Sequence, residues 1–286
     1  MAEGIWLISD KRIPLVPNIG IVEGEKRVLV IDSGLTSGSG RNVLKAAQTI
    51  ARGREIILTV THAHPEHTFG AQAFKGQAKI FYNSLQRDYL ASNGQKLLKG
   101  FRPFLSPERV HLLDDIRITL ANQVYTGNHA SLDLGKRKVE FRNWGIAHSP
   151  GDQIVHIPDQ NVTFAGDLIE ERMFPIVPLF PPLINSADIK LSQWELALNH
   201  MIRLQPRIIV PGHGNLGGVE IARHMLDYFG EIRQFVGSLK AKGVAEVQAR
   251  QQLELLVQRR HPTWERTEYI APALRYISEQ TYGSSK

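Results

Sequence analysis

The chain has 286 residues, of which 42% are hydrophobic and 22% charged, values typical of a globular protein with a substantial buried core. It contains no cysteine, which excludes disulfides, thiolate nucleophiles and cysteine-ligated zinc, so any metal must be held by histidine and carboxylate. The formal net charge is +6, but acidic and basic residues are interleaved, which argues against a nucleic-acid partner and favours a mild attraction for anionic substrates.

The first part of the chain predicts strands and helices in alternation. Residues 5–9 and the two apolar runs within residues 20–32 are typical of β-strands. Residues 40–52 carry apolar side chains at helical spacing, and residues 55–60 predict a strand buried on both faces. That strand leads directly into a polar loop at residues 61–67. The alternation favours an α/β architecture with its chemistry at the strand ends.

The rest of the chain continues with mixed elements. Residues 84–120 look mostly helical and loop-like. Strands are predicted at residues 131–143, 153–157 and 162–165, and a helix at residues 191–204 leads to the apolar run at 207–210. Residues 217–259 and 265–280 look helical. No linker, repeat or low-complexity tract divides the sequence. We therefore expect one domain over residues 1–286, with residues 217–286 as its helical C-terminal part.

The sequence also bears on where the protein works. No run of about 18 apolar residues is present, so we expect no membrane partner. The amino terminus lacks the basic start and apolar stretch of a signal peptide. The sequence as written therefore predicts a cytoplasmic protein, whereas a trimmed mature form would fit an exported, periplasmic one. The sequence does not indicate an oligomeric state.

The polar loop after residues 55–60 holds three imidazoles and a carboxylate, in the order His62-Ala-His64-Pro-Glu66-His67. Zinc prefers imidazole nitrogen and carboxylate oxygen as ligands, and a loop that follows a rigid strand holds such groups in place. His62 and His64 can point towards one metal while Glu66 and His67 turn towards a second. The cluster therefore predicts a metal site.

Three further segments place a polar residue just after an apolar strand, close to a glycine that lets the backbone bend sharply. They carry His148, Asp167 and His213. Each alone is a weak signal, because Gly-Asp is usually a turn and a single histidine is more often structural. Together, and in this order, they strengthen the prediction of a metal centre.

The order Asp32, His-x-His-x-acid-His at residues 62–67, His148, Asp167 and His213 resembles the signature of the metallo-β-lactamase superfamily. The resemblance runs from the first strands to His213. It implies a mixed α/β fold, the four-layer αββα sandwich, with metals at one edge between two sheets.

The resemblance also implies a role for each matching residue. One zinc would be held by His62, His64 and His148, the second by Glu66, His67 and His213, and Asp167 would bridge both. Asp32 would orient the His-rich loop. We expect the catalytic residues to be Asp32, Glu66 and Asp167.

One position departs from the family pattern, which normally has Asp where this chain has Glu66. Glutamate is one methylene longer and reaches roughly 1.5 Å further from the same backbone, about one helical rise. Either the second metal shifts, or Glu66 bonds through water, or the second site is weak. We expect two zinc ions, and binding of the second depends on whether Glu66 can serve as its ligand.

The implied reaction is attack by a metal-bound hydroxide on an ester, lactone, thioester or β-lactam carbonyl. We favour a β-lactamase-like or lactonase-like activity on a small-molecule acyl substrate. The Pro-rich apolar residues 174–183 suggest a stiff wall over the metals that accepts an apolar substrate, or equally a packing loop.

Two other functions compete with hydrolysis. A mononuclear iron oxygenase resembling persulfide dioxygenases would use His62, His148 and Asp167 as its ligands. A catalytically weak member of the superfamily would bind metal through the same loop without turnover, as a consequence of Glu66.

Overall fold

Two β-sheets lie face to face at the centre of the molecule, and helices cover the outer surface of each sheet. The computed structural model describes residues 1–283. One buried apolar cluster lies between the sheets, a second between the first sheet and its helices, and a third between the second sheet and the C-terminal helices. This arrangement confirms the predicted four-layer αββα sandwich.

The first sheet contains six strands in sequence order. They are β1 (Ile5–Ile8), β2 (Ile19–Glu23), β3 (Arg27–Ile31), β4 (Glu55–Thr59), β5 (Lys79–Asn83) and β6 (Gln123–Tyr125). The first three are joined as antiparallel neighbours, and β3 to β6 run parallel.

The second sheet contains five strands. They are β7 (His129–Asp133), β8 (Lys138–Asn143), β9 (Gln153–Ile157), β10 (Val162–Glu170) and β11 (Ile208–His213). Their order across the sheet is β11-β10-β9-β8-β7, and only the β10–β11 pair is parallel. Strands β10 and β11 therefore end at the same side of the second sheet.

Seven α-helices connect and cover the sheets within residues 1–283. They are α1 (Ser37–Ala51), α2 (Pro65–Thr68), α3 (Ser84–Phe101), α4 (Leu191–Leu204), α5 (Val219–Ala241), α6 (Glu246–Arg260) and α7 (Ile270–Tyr282). In this described part of the chain no helix is both long and apolar enough to cross a lipid bilayer.

The uniformly apolar run in β3 has a direct structural cause. Val28 and Val30 face the helices on the outer side of the first sheet, whereas Leu29 and Ile31 face the core between the sheets. All four side chains are fully buried. Because alternate residues of a strand point to opposite faces, burial on both faces demands an apolar residue at every position.

Several predicted boundaries were wrong. Strands β5 and β6 were not predicted, since they have only five and three residues and follow stretches without a clear period. The strands predicted at residues 131–143 are β7 and β8, a hairpin that begins two residues earlier, at His129. Residues 217–259 are helical as predicted, apart from the turn at Gly243, whose φ is +74° and which separates α5 from α6. Residues 284–286, the end of the expected helical part, lie outside the described residues.

Candidate metal centre

The ends of β4, β10 and β11 bring the predicted ligands to one place. The three histidines of the polar loop follow β4, and His213 is the last residue of β11. His148 lies in the turn that leads into β9. Asp167 lies within β10, where the pairing with β11 shifts register between Phe164 and Glu170. Such an irregularity in a strand re-aims a side chain, here into the space between the sheets.

Seven side chains form two groups, and within each group the potential ligand atoms all lie within 4.8 Å of one another. The first group is His62, His64 and His148, and the second is Glu66, His67, Asp167 and His213. All seven residues are buried. The structure therefore brings together every residue that the sequence singled out as a ligand.

The polar atoms of these groups fit bound metal. Nε2 of His62, His67 and His213 has no hydrogen-bond partner, and the same holds for Oε2 of Glu66 and Oδ1 of Asp167. A buried polar atom without a partner costs about 1–3 kcal/mol, and native proteins rarely leave several in one place. Divalent metal ions would satisfy these atoms, since imidazole nitrogen and carboxylate oxygen are their usual ligands.

Asp167 contacts both groups. Its Oδ2 lies 3.6 Å from His62 Nε2 and 3.7 Å from His213 Nε2, and its Oδ1 lies 3.3 Å from His67 Nε2. Burial alone would raise the pKa of Asp167, but the imidazoles of His67, His213 and His62 hold it well below its usual value. Asp167 is therefore an ionised carboxylate placed between the two groups.

The first group is held in the form that binds metal. Burial lowers the pKa of His62 and His64 well below the ordinary histidine value, and it lowers the pKa of His148 to about 4. The three imidazoles are thus neutral near pH 7, and a neutral imidazole is the ligand form. Nδ1 of His64 and Nε2 of His148 lie 3.0 Å apart, as two ligand atoms of one metal would.

Glu66 lies in the second group despite its extra methylene. It belongs to the short helix α2, begun by Pro65, and its side chain is buried. Burial raises the pKa of Glu66, while the neighbouring His67 lowers it. Its Oε2 has no hydrogen-bond partner, and a carboxylate oxygen of Glu66 lies within 4.8 Å of potential ligand atoms of His67, Asp167 and His213.

Asp32 lies behind the ligands rather than among them. Its Oδ2 accepts a hydrogen bond from His67 Nδ1 at 2.9 Å, and its Oδ1 accepts one from the Thr61 backbone N–H at 2.7 Å. Asp32 itself has a left-handed backbone, with φ of +69°. Because it fixes the His67 tautomer and the start of the loop, Asp32 is a positioning residue rather than one that meets substrate.

We expect Asp32→Asn to weaken the second metal site roughly 10- to 100-fold, as loss of such an outer partner usually does. The amide would place an N–H donor beside the His67 N–H, so the ring would turn or change tautomer. Competition with a coloured chelator would measure the affinity of both sites. Asp133→Asn, at the exposed end of β7, is the matched control. Unchanged affinity of both sites in Asp32→Asn would contradict the positioning role.

Backbone contacts hold the other ligands. Asp152 accepts hydrogen bonds from the backbone N–H groups of Ala147 and Ser149, which fixes the turn that carries His148. The His213 Nδ1–H donates to the Val16 carbonyl at 3.0 Å, so that Nε2 is left for metal.

Two buried polar residues near the site were not found from the sequence. Thr61 donates its hydroxyl to Asp32. Glu170 is buried at the end of β10, where its Oε2 accepts from the Ile176 N–H at 2.7 Å and its Oε1 has no partner. Burial, with the nearby Asp167, raises the pKa of Glu170 well above its usual value. The sequence signal that could have identified Glu170 is an acidic residue at the end of an apolar strand, which is unusual.

A small cavity opens onto the metal centre and has a mainly apolar wall. His64, Glu66 and Asp167 line its polar side, and the other lining residues are Leu15, Phe101, Phe104, Ile176, Pro178, Phe180, Ile184 and Tyr269. The Pro-rich segment thus contributes wall residues, as one of the two interpretations expected. Phe174 does not belong to the wall: it is fully buried and packs against Tyr228 and Trp264.

Comparisons with known proteins agree with this geometry. A family model described as the metallo-beta-lactamase superfamily matches residues 12–213, more than half of the chain. One relative, the type 2 metallo-beta-lactamase of Bacillus sp. (strain 170), is 23% identical over 216 residues, which cover 74% of this chain and 72% of the relative.

Two solved structures have a similar fold. A metallo-beta-lactamase family protein from Thermus thermophilus has a TM-score of 0.68 at 17% identity, covering 98% of this chain and 94% of that protein. A double mutant of the sec-alkyl sulfatase PisA1 has a TM-score of 0.71 at 15% identity, covering 100% of this chain and 50% of that one. At these identities the likeness is one of fold alone.

Proposed function

Because the chain belongs to the metallo-β-lactamase superfamily, we propose that it is a hydrolase that uses two zinc ions to cleave a small acyl substrate. The observation that carries the proposal is the pair of ligand groups joined by Asp167. At neutral pH the first group offers three neutral imidazoles, and Asp167 adds an ionised carboxylate. Such a donor set suits zinc.

Two metal ions bound here would lower the pKa of water and polarise a carbonyl oxygen. Hydrolysis then adds OH to the carbonyl carbon, breaks its bond to the leaving oxygen, nitrogen or sulfur, and transfers a proton to the leaving atom. Glu66 and Asp167 are the carboxylates that reach the cavity and can hold the attacking water. Asp32 keeps His67 in one orientation throughout.

The lining of the cavity favours a substrate with an apolar acyl group. Its wall is mostly aromatic and aliphatic, so an apolar group that enters leaves water with a favourable free energy. The reactive end would meet His64, Glu66 and Asp167 on the polar side. Among acyl compounds we favour β-lactams and lactones, with esters and thioesters as further members of the same reaction class.

The test is metal content of the purified chain together with hydrolysis of nitrocefin and of lactones, before and after chelation. We expect two zinc ions per chain, turnover that chelation abolishes, and recovery when zinc is restored. A single bound iron with sulfite production from persulfides would replace the proposal with the oxygenase. Two bound metals without hydrolysis of any acyl substrate would favour the catalytically weak alternative.

The two phenylalanines of the Pro-rich segment should behave differently. Phe180→Ala removes wall surface and is expected to raise KM for apolar acyl substrates roughly five- to tenfold, with little change in thermal stability. Phe174→Ala opens a hole in the core and is expected to cost about 3–5 kcal/mol of stability, with KM unchanged. Denaturant unfolding and steady-state kinetics on both variants distinguish the roles. Equal KM values for Phe180→Ala and the unchanged chain would contradict the wall.

A further inference from the structure

A surface groove lies next to the metal centre, between helix α3 and the Pro-rich segment. It has a volume of about 840 Å³. Its helix side includes Lys96, Lys99 and Phe104, and its other side is formed by residues 180–183. Helix and segment approach closely at Gly100, where a Cβ would lie 2.5 Å from a methyl carbon of Leu183.

The groove and the cavity at the metal centre share two residues. Phe104 and Phe180 line both spaces, and their rings meet edge to face with centroids 5.4 Å apart. The cavity is much smaller than the groove, about 30 Å³ against about 840 Å³. A longer substrate must therefore extend out of the cavity, and the groove is the space beyond these two rings.

The two sides of the groove differ in chemistry. The segment side presents Phe180, two prolines and Leu183, all apolar. The helix side presents Lys96 and Lys99, which are three residues apart and so share one face of α3. Both lysines are exposed, and neither forms a salt bridge in the described part of the chain. No acidic residue is among those that line the groove.

We propose that the groove binds the apolar chain of an anionic amphiphile, with the anionic group beside Lys96 and Lys99 and the chain running along Phe104 and Phe180 towards the reacting end in the cavity. The inference rests on the proposed hydrolase and names its substrate class. That class is acyl compounds with a linear apolar chain and an anionic group remote from the scissile bond. Lys96 precedes the end of α3 at Phe101 by five residues, roughly 7.5 Å along the helix axis, and Phe104 follows in the next turn; this sets the order of the distance between the anionic group and the two rings.

Three probes of equal chain length test the groove without bond cleavage. They are decane-1-sulfonate, 1-decanol and decyltrimethylammonium, each titrated calorimetrically into the full-length, metal-loaded protein below its micelle concentration. We expect the sulfonate to bind roughly five- to tenfold more tightly than the alcohol, since two exposed lysines each contribute a modest attraction. The cationic probe should bind most weakly.

Three variants test whether the preference for the sulfonate arises in the groove. Lys96→Gln/Lys99→Gln is expected to remove the preference for the sulfonate and leave binding of the alcohol within about twofold. Lys45→Gln/Lys75→Gln removes the same charge from exposed positions outside the groove and should change nothing. Phe104→Ala should weaken all three probes, because it removes apolar surface from the groove.

Two results would overturn the proposal. One is equal affinity of the unchanged protein for sulfonate and alcohol. The other is an equal loss of sulfonate binding in the control double variant, which would assign the effect to the net charge of +6 rather than to the groove. Because none of the probes can be hydrolysed at an acyl bond, binding tests the groove even if the chain proves not to be a hydrolase. Conversely, acyl turnover without sulfonate preference would retain the hydrolase and remove the groove.

Discussion

Asp167→Asn is expected to reduce turnover at least about a thousandfold and to lower the bound metal to one ion or less per chain. Asp167 is the one described carboxylate within reach of both ligand groups, with its two oxygens 3.3–3.7 Å from three imidazoles. The amide has nearly the same shape but no charge. It would leave the positive charge of two metals without its central anion.

The substitution also separates two explanations of the buried polar atoms. If the centre only stabilised the fold through imidazole–carboxylate contacts, Asp167→Asn would change stability and leave metal content untouched. If metals satisfy the unpartnered atoms, metal content falls in step with turnover. Elemental analysis, kcat and the unfolding temperature would be measured on one preparation. Asp227→Asn, on the exposed side of α5, is the matched control.

Two bound metals with kcat within tenfold of the unchanged chain would contradict the bridging role of Asp167. Single-metal occupancy with retained hydrolysis would instead show that the first group, His62, His64 and His148, is sufficient for the reaction.

The ligand set could be predicted from the sequence because each ligand lies close to an apolar strand: in the loop after β4, in the turn before β9, within β10 or at the last residue of β11. The buried run Ile56–Leu58 in β4 fixes where the strand stops, and His62 follows within a few residues. Strand ends of a sandwich meet at one edge, so residues distant in sequence converge there. The same reasoning applied to β11 and His213.

The cavity wall could not be predicted in the same way. Phe101 is the last residue of α3 and Phe104 lies in the turn after it, and nothing local in the sequence shows that Phe104 packs against Phe180. Their role depends on the path of the Pro-rich segment across the sandwich, which is a property of tertiary packing. Phe174 illustrates the same limit, because it lies in the same apolar segment as Phe180 although it points into the helical core.

Glu66 is the second position where a large effect is expected. Glu66→Gln should lower the affinity of the second metal roughly a hundredfold or more, because it removes a charged ligand from a buried group of four. The first group should keep its metal, since Glu66 is not among its members. Elemental analysis at stepwise chelator concentrations would therefore show loss of one ion well before the other.

Glu66→Asp decides how the longer side chain works. If Glu66 Oε2 ligates directly, the backbone of α2 is set for glutamate, and the shorter aspartate would fall short by roughly 1.5 Å. The second metal would then bind more weakly in Glu66→Asp than in the unchanged chain, although aspartate is the usual residue of the family. If Glu66 acts through water or not at all, aspartate would bind the second metal equally or more tightly. A rise in affinity would therefore contradict direct ligation, whereas a fall in both Glu66→Asp and Glu66→Gln would establish that the centre is built around the length and the charge of glutamate.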